Sequence, residues 1–558
     1  MQYQIFIPDR SYSSWEIESQ GPLFKKHPFE TKLFHEDIFK VHPETQEIEI
    51  ANSKTRESKC LTGILILEKN KTYGRTPNKK RLYYSCIPHD KHLPTFLVPY
   101  DIDIGFEKVF PNKYVLFRFD HWNSQDKHPY GLLVETIGDV TNLHHYDMYQ
   151  LYAKNLYRSH KNVQKKIQLH MKNTPLETCI QEILADPARF GTVDDRTADS
   201  NTPIFSIDPY GCTDRDDALS VQTIIPNHKY RVSVYIANVA IWIEYFQLQV
   251  FLQETNISTI YLHEGATHPM LPTALSEKIC SLDSTHPCFA IVMDFEIDIL
   301  AKTVQSLNTQ QCLIRVKRNF DYDSGTLAVY PHYKTLLEIT QILHPHTQHD
   351  SHTLVAFWMM QMNQEMARKL HRRRTGIFRI STAPNNTSKT DQTTDIFLHI
   401  WENSISGKYV GYSPEITDYS HHVIGVPLYI HFTSPIRRMV DIYNQMAWIS
   451  IKEKMKSPDI SQEMIDKINT DTKTIRKIQM ESTILRLVSK EEVLECKGQI
   501  LQIEENRILV YFPDHKCMFS CKNTTNMKFV YKQMVDSKIY VFERESDYRK
   551  KIKMDILG

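Results

Sequence analysis

The chain has 558 residues, 41% of them hydrophobic, and its 67 basic and 66 acidic residues leave a formal net charge of +1. This length predicts a folded protein of three or four domains, at about 150 residues per domain. The balanced charge excludes identifying a nucleic-acid partner from overall charge, so local patches must support any such inference.

The cysteines and apolar segments bear on the cellular compartment. The 10 cysteines lack the paired spacing of a zinc site, since Cys517 and Cys521 have no second pair to complete one. Reduced thiols in a cytosolic protein are the simplest interpretation. The first ten residues lack the pattern of a signal peptide, and no apolar run is long enough to cross a membrane. We therefore expect a soluble, cytoplasmic protein with no membrane partner, which leaves a nuclear location open.

The first part of the chain predicts an N-terminal extension and then β structure. Residues 1–55 show no strong period, which favours the extension. In residues 56–141, short and evenly spaced strands predict one or two small β-barrels. These strands are Leu61–Leu67, Leu82–Ile87, Thr95–Val98, Tyr114–Phe119 and Gly131–Ile137. Residues 142–195 have helical apolar spacing and are predicted to be a helical linker.

The second part of the chain predicts a larger mixed domain and a final barrel. Residues 196–494 form the α/β region, with strands such as Tyr230–Ala237. In its helix Leu354–Leu370, the Met, Phe and Trp side chains are typical of a core rather than of a cofactor site. Residues 495–558 return to strands and end in a basic tail. The expected fold class is multi-domain α+β, with small β-barrels flanking a central mixed α/β domain.

A basic stretch lies within the first predicted barrel. Residues 69–84 combine six basic side chains with three tyrosines. Cations follow a phosphate backbone and aromatic faces stack on bases, so the composition suits a single-stranded nucleic acid. A basic hairpin solvated on both sides explains it equally well. The sequence leaves both interpretations open.

An acidic loop lies in the middle of the chain. Four carboxylates fall within ten residues, at Asp208, Asp214, Asp216 and Asp217. Such side chains raise each other's pKa unless a cation or several hydrogen-bond donors keep them ionised. Carboxylate oxygens are hard ligands, for which Mg²⁺ is the natural partner and Mn²⁺ a possible one. The apolar segments Ile204–Ile207 and Ala218–Val221 predict a strand on each side, so the loop is expected to be anchored at both ends.

Two other interpretations apply to this loop. A solvated acidic turn is the common outcome for an acidic cluster, and the flanking strands argue against it here. An EF-hand is excluded, because the third, fifth and twelfth positions counted from Asp208 are Tyr210, Cys212 and Leu219. A metal-binding loop is therefore the preferred interpretation.

Three further segments follow the loop in order. Tyr261 precedes a segment that contains Met270-Leu271-Pro272, Leu275-Ser276 and Cys280-Ser281-Leu282. Gly376-Ile377-Phe378-Arg379 comes after the Met-rich helix. The last segment, residues 429–441, predicts a strand, a Thr/Ser cap and a helix start with Arg437 and Arg438 beside it. Free N–H groups and guanidinium donors at such a helix end suit a phosphate.

In combination, these motifs resemble the RNB family of processive 3′-to-5′ exoribonucleases, which includes bacterial ribonucleases II and R and the catalytic subunit of the eukaryotic RNA exosome. The resemblance rests on Ile207-Asp208 with the acidic loop, on the segment that ends in Cys280-Ser281-Leu282, and on His431-Phe432-Thr433-Ser434-Pro435-Ile436-Arg437-Arg438. It implies cold-shock-like OB barrels before a central RNB catalytic domain and a C-terminal OB barrel after it. Because only about 55 residues come before the first predicted barrel, we expect the endonuclease domain of the exosome subunit to be missing.

The resemblance also implies roles for single residues. Asp208, Asp214, Asp216 and Asp217 match the residues that hold Mg²⁺ and orient the attacking water. Arg437 matches the arginine that contacts the scissile phosphate. Tyr261 matches the tyrosine that holds the 3′-terminal nucleotide, Phe378 an aromatic that stacks near it, and Glu481 a glutamate that contacts it. Arg438 is expected to bind RNA or to pair with an acidic residue, and Tyr261 taken alone also suits a strand core.

One departure from the family pattern lies on the strand after the acidic loop. The family has His-Ile-Ala-Asp where this chain has Tyr235-Ile236-Ala237-Asn238. Two hypotheses follow. The first is a Mg²⁺-dependent enzyme that threads single-stranded RNA 3′ end first and releases nucleoside 5′-monophosphates, as a monomer or as a subunit of an RNA-decay complex. The second, which Asn238 encourages, is an RNA-binding regulator on an inactive RNB scaffold.

Overall fold

The computed structural model describes most of the chain. The described residues are 2–18, 26–42, 45, 47–68, 70–102, 110–198, 202–262, 267–345, 350–381, 407–452, 458–491, 493–504, 507–515, 517–523, 529–544 and 547–557. They fall into two compact units. The first unit takes its residues from Met1–Tyr157, Leu262–Gly265 and Arg476–Gly558, and the second from Arg158–Tyr261 and Ala266–Ile475. Among the described helices, none combines the length and the apolar character needed to cross a membrane.

The first unit begins with a small antiparallel sheet. Its strands, in the spatial order β2-β1-β3-β4, are β1 (Gln2–Phe6), β2 (Glu16–Glu18), β3 (Ile38–Val41) and β4 (Ile48–Asn52). Tyr3, Ile5 and Ile7 alternate into one core with Phe96 and Phe117. The predicted N-terminal extension is therefore a folded layer. Its strands of three to five residues are too short to give a period that stands out in the sequence.

A closed five-stranded barrel follows, which confirms a small β-barrel in this region. Its spatial order is β5-β6-β7-β9-β8. The strands are β5 (Leu61–Leu65), β6 (Leu82–Pro88), β7 (Phe96–Tyr100), β8 (Lys113–His121) and β9 (Tyr130–Asp139), with α1 (Lys54–Glu57) before them and α2 (Leu143–Ala153) after them. Tyr146 and Tyr149 of α2 pack on Ile64 and Tyr114 of the barrel. Each barrel strand overlaps a strand that the sequence predicted.

The second unit is built around a seven-stranded mixed sheet in the order β10-β17-β16-β13-β12-β11-β18. Its strands are β10 (Val193–Asp195), β11 (Ile204–Asp208), β12 (Asp217–Ile225), β13 (Lys229–Ala237), β16 (Cys288–Asp298), β17 (Thr303–Ile314) and β18 (Val316–Asp321). Two short pairs lie outside it, β14 (Ile260–Tyr261) with β15 (Thr267–His268) and β19 (Ile377–Ser381) with β20 (Gly407–Gly411). This arrangement confirms the mixed α/β architecture that the sequence predicts.

Helices cover the sheet of the second unit. They are α3 (Lys161–Asn173), α4 (Leu176–Ala185), α5 (Pro187–Phe190), α6 (Val239–Tyr245), α7 (Gln249–Glu254), α8 (Gly325–Ala328), α9 (Pro331–Leu343), α10 (Ser351–Arg372) and α11 (Met439–Lys452), with a π-helical turn at Ala274–Ile279. A capping box of Asp350 and Thr353 starts α10. Its Trp358, Met362 and Met366 are buried in the core, which confirms the sequence interpretation of this helix.

The last segment begins with α12 (Gln462–Glu491), whose residues from Arg476 onward belong to the first unit. An antiparallel sheet in the order β23-β22-β21-β24-β25 follows, with β21 (Val493–Ile503), β22 (Arg507–Phe512), a 3₁₀ turn (Pro513–His515), β23 (Cys517–Lys522), β24 (Met534–Arg544) and β25 (Arg549–Leu557). The basic residues at the end of the described chain lie in β25, which pairs with β24 along its length. An OB barrel here and the exact domain boundaries stay predictions.

Candidate active site

The sheet brings both ends of the acidic loop to one edge. Strands β11 and β12 are antiparallel neighbours, with Phe205 opposite Leu219. Asp208 ends β11 and Asp217 begins β12, so the loop returns to the edge from which it left. Within it, the Cys212 N–H donates to the Pro209 carbonyl at 3.0 Å, and Gly211 has φ +76°, a conformation that glycine adopts without strain.

Arg215 fixes the loop to the segment that contains Cys280-Ser281-Leu282. Its backbone N–H donates to the Ser281 hydroxyl at 3.1 Å, and its carbonyl accepts from the Leu282 N–H at 3.0 Å. Its guanidinium donates to Asp283 at 2.9 Å and lies 3.6 Å from an Asp208 oxygen. Two of the motifs that the sequence singles out are therefore in contact.

Asp216 joins the acidic loop to the segment before α11. Its buried carboxylate accepts from the Ile436 N–H at 2.8 Å and from Arg437 Nε at 2.9 Å. Arg437 Nη2 also donates to the Ser434 hydroxyl at 3.1 Å. Burial opposes ionisation of the guanidinium, and the charge of Asp216 overcomes it and holds the pKa of Arg437 above its ordinary value. The buried carboxylate of Asp216 and the partly exposed guanidinium of Arg437 thus form a hydrogen-bonded ion pair.

Asp208 and Asp217 have raised pKa values, as the sequence predicts for neighbouring carboxylates. Burial raises the pKa of Asp208 to about 6, while the Ser206 hydroxyl, which donates at 2.6 Å, and Arg215 limit the rise. Burial and then the charge of Asp208 raise the pKa of Asp217 well above its ordinary value. Asp214 accepts the Cys212 thiol at 3.5 Å. The loop therefore holds two carboxylates that repel each other beside a third that is already paired with an arginine.

Helix α11 contributes three buried polar side chains, which hydrogen-bond to the segments that carry the site residues. Asp441 accepts from the Ser434 N–H at 2.7 Å and from Arg438 Nη2 at 3.0 Å. Asn444 bonds the backbone of Ile377 in both directions and donates to the His431 carbonyl at 2.9 Å.

The third side chain, Gln445, connects α11 to Asp216 through the backbone of Ala237. Gln445 donates to the Ala237 carbonyl at 2.8 Å, and the Ala237 N–H donates to the Asp216 carbonyl at 2.8 Å. Because Asp441 holds Ser434, which in turn bonds Arg437, helix α11 contacts both partners of the Asp216–Arg437 pair through intermediates.

The other site residues implied by the resemblance have different positions. Tyr261 is 42% exposed, and its hydroxyl pKa rises to about 12 because of burial, with the charge of Arg437 as the largest opposing influence. Tyr261 therefore lies beside the site and not in the core. Arg438 pairs with Asp441, which is the structural alternative considered for it. Glu481 belongs to the first unit, so its role in this site stays a prediction.

The position of Phe378 contradicts its expected stacking role. Its ring is fully buried and packs against Tyr419 at 4.7 Å and His371 at 5.9 Å between ring centroids. Strand β19 directs it into the core of the second unit, where no ring face is open to a base. A motif match gives the residue type, and the strand register decides which way it faces.

Asn238, the departure from the family pattern, has a structural role. It caps α6, where its Oδ1 accepts from the Ile241 N–H at 3.2 Å. Its Nδ2 donates to Gln311 Oε1 at 2.8 Å, and both side chains are 1% exposed. The side-chain amide of Asn238 is therefore engaged on both sides within the core.

The donor set of the acidic loop fits a divalent cation that also binds a substrate. No group of three or more His, Cys, Asp or Glu side chains among the described residues is arranged to hold a metal ion by itself. Mg²⁺ is usually bound by one or two carboxylates together with water and substrate phosphates. Asp208 and Asp217, whose mutual repulsion a cation would relieve, supply such a pair.

The sequence did not point to Asp441, Asn444 or Gln445. Each is a polar residue that helix α11 buries almost completely, at 0% exposure. A signal was present, because three polar side chains at spacings of three and four residues share one face of an otherwise apolar helix. Buried polar groups of this kind are hydrogen-bonded, which predicts a structural network without naming its partners.

Two domain families match parts of the chain. The RNB domain matches residues 196–330 and 327–454, and the Dis3-like cold-shock domain 2 matches residues 83–146. DIS3-like exonuclease 2 of Schizosaccharomyces pombe is 26% identical over 282 residues, which are 48% of this chain and 28% of that protein. Exosome complex exonuclease RRP44 of Homo sapiens is 21% identical over 544 residues, which are 81% of this chain and 54% of that protein. The chain thus spans about half the length of these relatives or less.

Solved structures share the fold. RNase R of Mycoplasma genitalium, in complex with ribose-methylated single-stranded RNA, superposes with a TM-score of 0.65 at 15% identity and covers 100% of both chains. Yeast Ssd1, described as a pseudonuclease, superposes with a TM-score of 0.53 at 12% identity and covers 97% of this chain and 81% of that one. The RNB match over residues 196–454 includes both the acidic loop and the segment that holds Arg437, so this part of the chain matches an RNB domain.

Proposed function

We propose that the chain hydrolyses single-stranded RNA processively from its 3′ end, with a divalent cation, and releases nucleoside 5′-monophosphates. The observation that carries this proposal is the fixed orientation of Arg437. Its Nε and Nη2 are bonded to Asp216 and Ser434, 45% of its side chain is exposed, and its Nη1 has no hydrogen-bond partner among the described residues. A guanidinium held in this way offers its remaining donors to a phosphate oxygen.

Each site residue has a role in this proposal. Asp208 and Asp217, with Asp214 beside them, hold Mg²⁺ or Mn²⁺, which would supply an activated water and offset charge on the leaving oxygen. Asp216 keeps Arg437 in position against the scissile phosphate. Tyr261, exposed and next to Arg437, contacts the 3′-terminal nucleotide, and Arg438 and Glu481 contribute to RNA binding.

Relatives support the reaction class. Two relatives are named exonucleases, DIS3-like exonuclease 2 and exosome complex exonuclease RRP44, and a ribonuclease R of Helicobacter pylori is 24% identical over 320 residues. The matched RNase R structure contains single-stranded RNA. The proposed assembly is a monomer or a subunit of an RNA-decay complex in the cytoplasm, with a nuclear pool open. Light scattering after size exclusion and cell fractionation would check both statements.

The test is a degradation assay with 5′-labelled single-stranded RNA in Mg²⁺. The wild-type protein should shorten the label stepwise, and EDTA should stop the reaction. Asp216→Asn should lower kcat by at least about 10³-fold, because it removes the charge that holds Arg437 and lies beside the metal ligands. Asp323→Asn, at an exposed carboxylate of the same unit, is the matched control. Equal activity of Asp216→Asn and the wild type would contradict the proposal.

A second candidate is an RNA-binding regulator that does not hydrolyse RNA. The observation in its favour is that no three donors of the described residues are grouped to hold a metal by themselves, on a fold that the pseudonuclease Ssd1 shares. This candidate predicts RNA retention at low salt, release at high salt and no shortening even with Mn²⁺. Asn238 no longer adds to it, since its side chain caps α6.

A further inference from the structure

We propose that helix α3 carries a second RNA-binding surface on the second unit, the α3 stripe, formed by Lys161, Lys165 and Lys172. This inference rests on the proposed function, because it takes RNA as the ligand. At 100° per residue the three lysines lie within about 40° of one another, and they span about 16 Å along the helix. All three are exposed.

The charge of the stripe is uncompensated. Residues 158–176 contain four lysines and one arginine and no Asp or Glu. None of the three stripe ammonium groups forms an ion pair with any residue that the structure describes, although the chain as a whole is nearly neutral. Exposed helices ordinarily interleave opposite charges at spacings of three and four residues.

The arrangement also opposes the stability of the helix itself. Lys161 and Lys165 are like charges at the i, i+4 spacing, which repel each other. Lys161 lies in the first turn, which has no acidic residue, and a positive side chain is unfavourable there. The three lysines therefore do not stabilise α3, and an uncompensated row of positive charges is well suited to bind a polyanion.

A groove beside the stripe favours a single-stranded nucleic acid among polyanions. Leu169, His170, Tyr245 and Gln247 are among the residues that line it, and Leu169 is 63% exposed. His170 Nε2 lies 3.1 Å from the Tyr245 hydroxyl, which donates to the nearby acidic residue Glu182 at 2.5 Å. Lysines along one edge and apolar and aromatic groups beside them are the combination that holds backbone phosphates and unstacked bases.

The experiment measures binding without turnover. The full chain and Lys161→Gln/Lys165→Gln/Lys172→Gln are titrated into a 5′-fluorescein 30-nucleotide oligoadenylate in EDTA, at several salt concentrations. Glutamine keeps helix propensity and removes charge. Loss of three phosphate contacts should reduce the slope of log K against log salt by about 2 and weaken binding about a hundredfold at 0.1 M salt.

The matched control removes three exposed lysines elsewhere on the same unit, Lys302→Gln/Lys317→Gln/Lys334→Gln. Wild-type affinity in the control and weaker binding in the stripe variant support the proposal. Equal affinity of the stripe variant and the wild type, or equal losses in both variants, overturns it. Shortening of the same RNA in Mg²⁺ tests the proposed function separately. The two measurements therefore distinguish an α3 stripe that does not bind RNA from a protein that does not hydrolyse it. Crosslinking of 4-thiouridine RNA to a peptide outside α3, and never to α3, would also overturn the stripe.

Discussion

The acidic loop (residues 208–217) and the basic hairpin (residues 71–84) are two charged segments of the sequence that differ in their surroundings in the fold. The loop is fixed by Arg215, Ile436 and Arg437, and burial raises the pKa of Asp208 and Asp217. The hairpin is closed by its own backbone, from Tyr73 to Tyr83 and from Thr76 to Arg81, and its cations Lys71, Arg75, Lys79 and Lys80 are exposed. The buried carboxylates of the loop are held in fixed orientations, in which electrostatic interactions are strong. The exposed cations of the hairpin instead attract anions with a strength that depends on salt.

After Asp216→Asn, the largest expected effect comes from the arginine that orders the loop. Arg437→Lys should lower kcat by about 10² to 10³, because an ammonium group cannot bond Asp216, Ser434 and a phosphate in the fixed fork of a guanidinium. Single-turnover hydrolysis of labelled RNA measures it. Arg372→Lys, at an exposed position of α10, is the control. Wild-type kcat for Arg437→Lys would show that the loop needs no oriented guanidinium.

The next largest effect is expected at Asp441, and it tests whether the hydrogen bonds of α11 stabilise the fold. Asp441→Ala leaves the buried Ser434 N–H and Arg438 without their acceptor and should cost about 1–3 kcal/mol. Thermal unfolding followed by circular dichroism measures the loss as a lower Tm. Asp441→Asn keeps an acceptor for Ser434 and should lose less. If both variants melt with the wild type, the Asp441 contacts do not stabilise the fold.

The sequence predicted the features that depend on a local residue pattern or on a motif. Strand period located the barrel strands, and the acidic loop was correctly placed between two strands. It did not predict the α11 network. Asn444 and Gln445 find partners far away in the chain, at Ile377 and Ala237, and a local pattern does not show that Asp441 accepts from the Ser434 N–H. It also misplaced Phe378, since a motif does not reveal which face of a strand meets the core.

A smaller effect is expected at Asn238. Asn238→Ala removes a helix cap and should cost about 1 kcal/mol of stability, with kcat within about twofold of the wild type. Unfolding by urea and the degradation assay measure the two quantities side by side. A rise of tenfold or more in kcat for Asn238→Asp would instead mean that the departure from the family pattern limits the reaction.

The smallest effect is expected in the basic hairpin. Lys79→Gln/Lys80→Gln should leave Tm unchanged, because both side chains are exposed. If the hairpin meets RNA, the slope of log K against log salt should fall by about 1.4. An unchanged slope would identify the hairpin as a solvated surface and sharpen the contrast with the acidic loop.

The contact between Asn238 and Gln311 constrains which substitutions position 238 can accept. Asn238 donates to Gln311 Oε1, and Gln311 Nε2 donates to the Phe190 carbonyl at 2.9 Å. An aspartate at position 238 has no proton to donate, so Gln311 would have to turn its amide toward it and abandon Phe190. Positions 238 and 311 should therefore covary among relatives, and a reversion at position 238 should be tolerated best when position 311 changes with it.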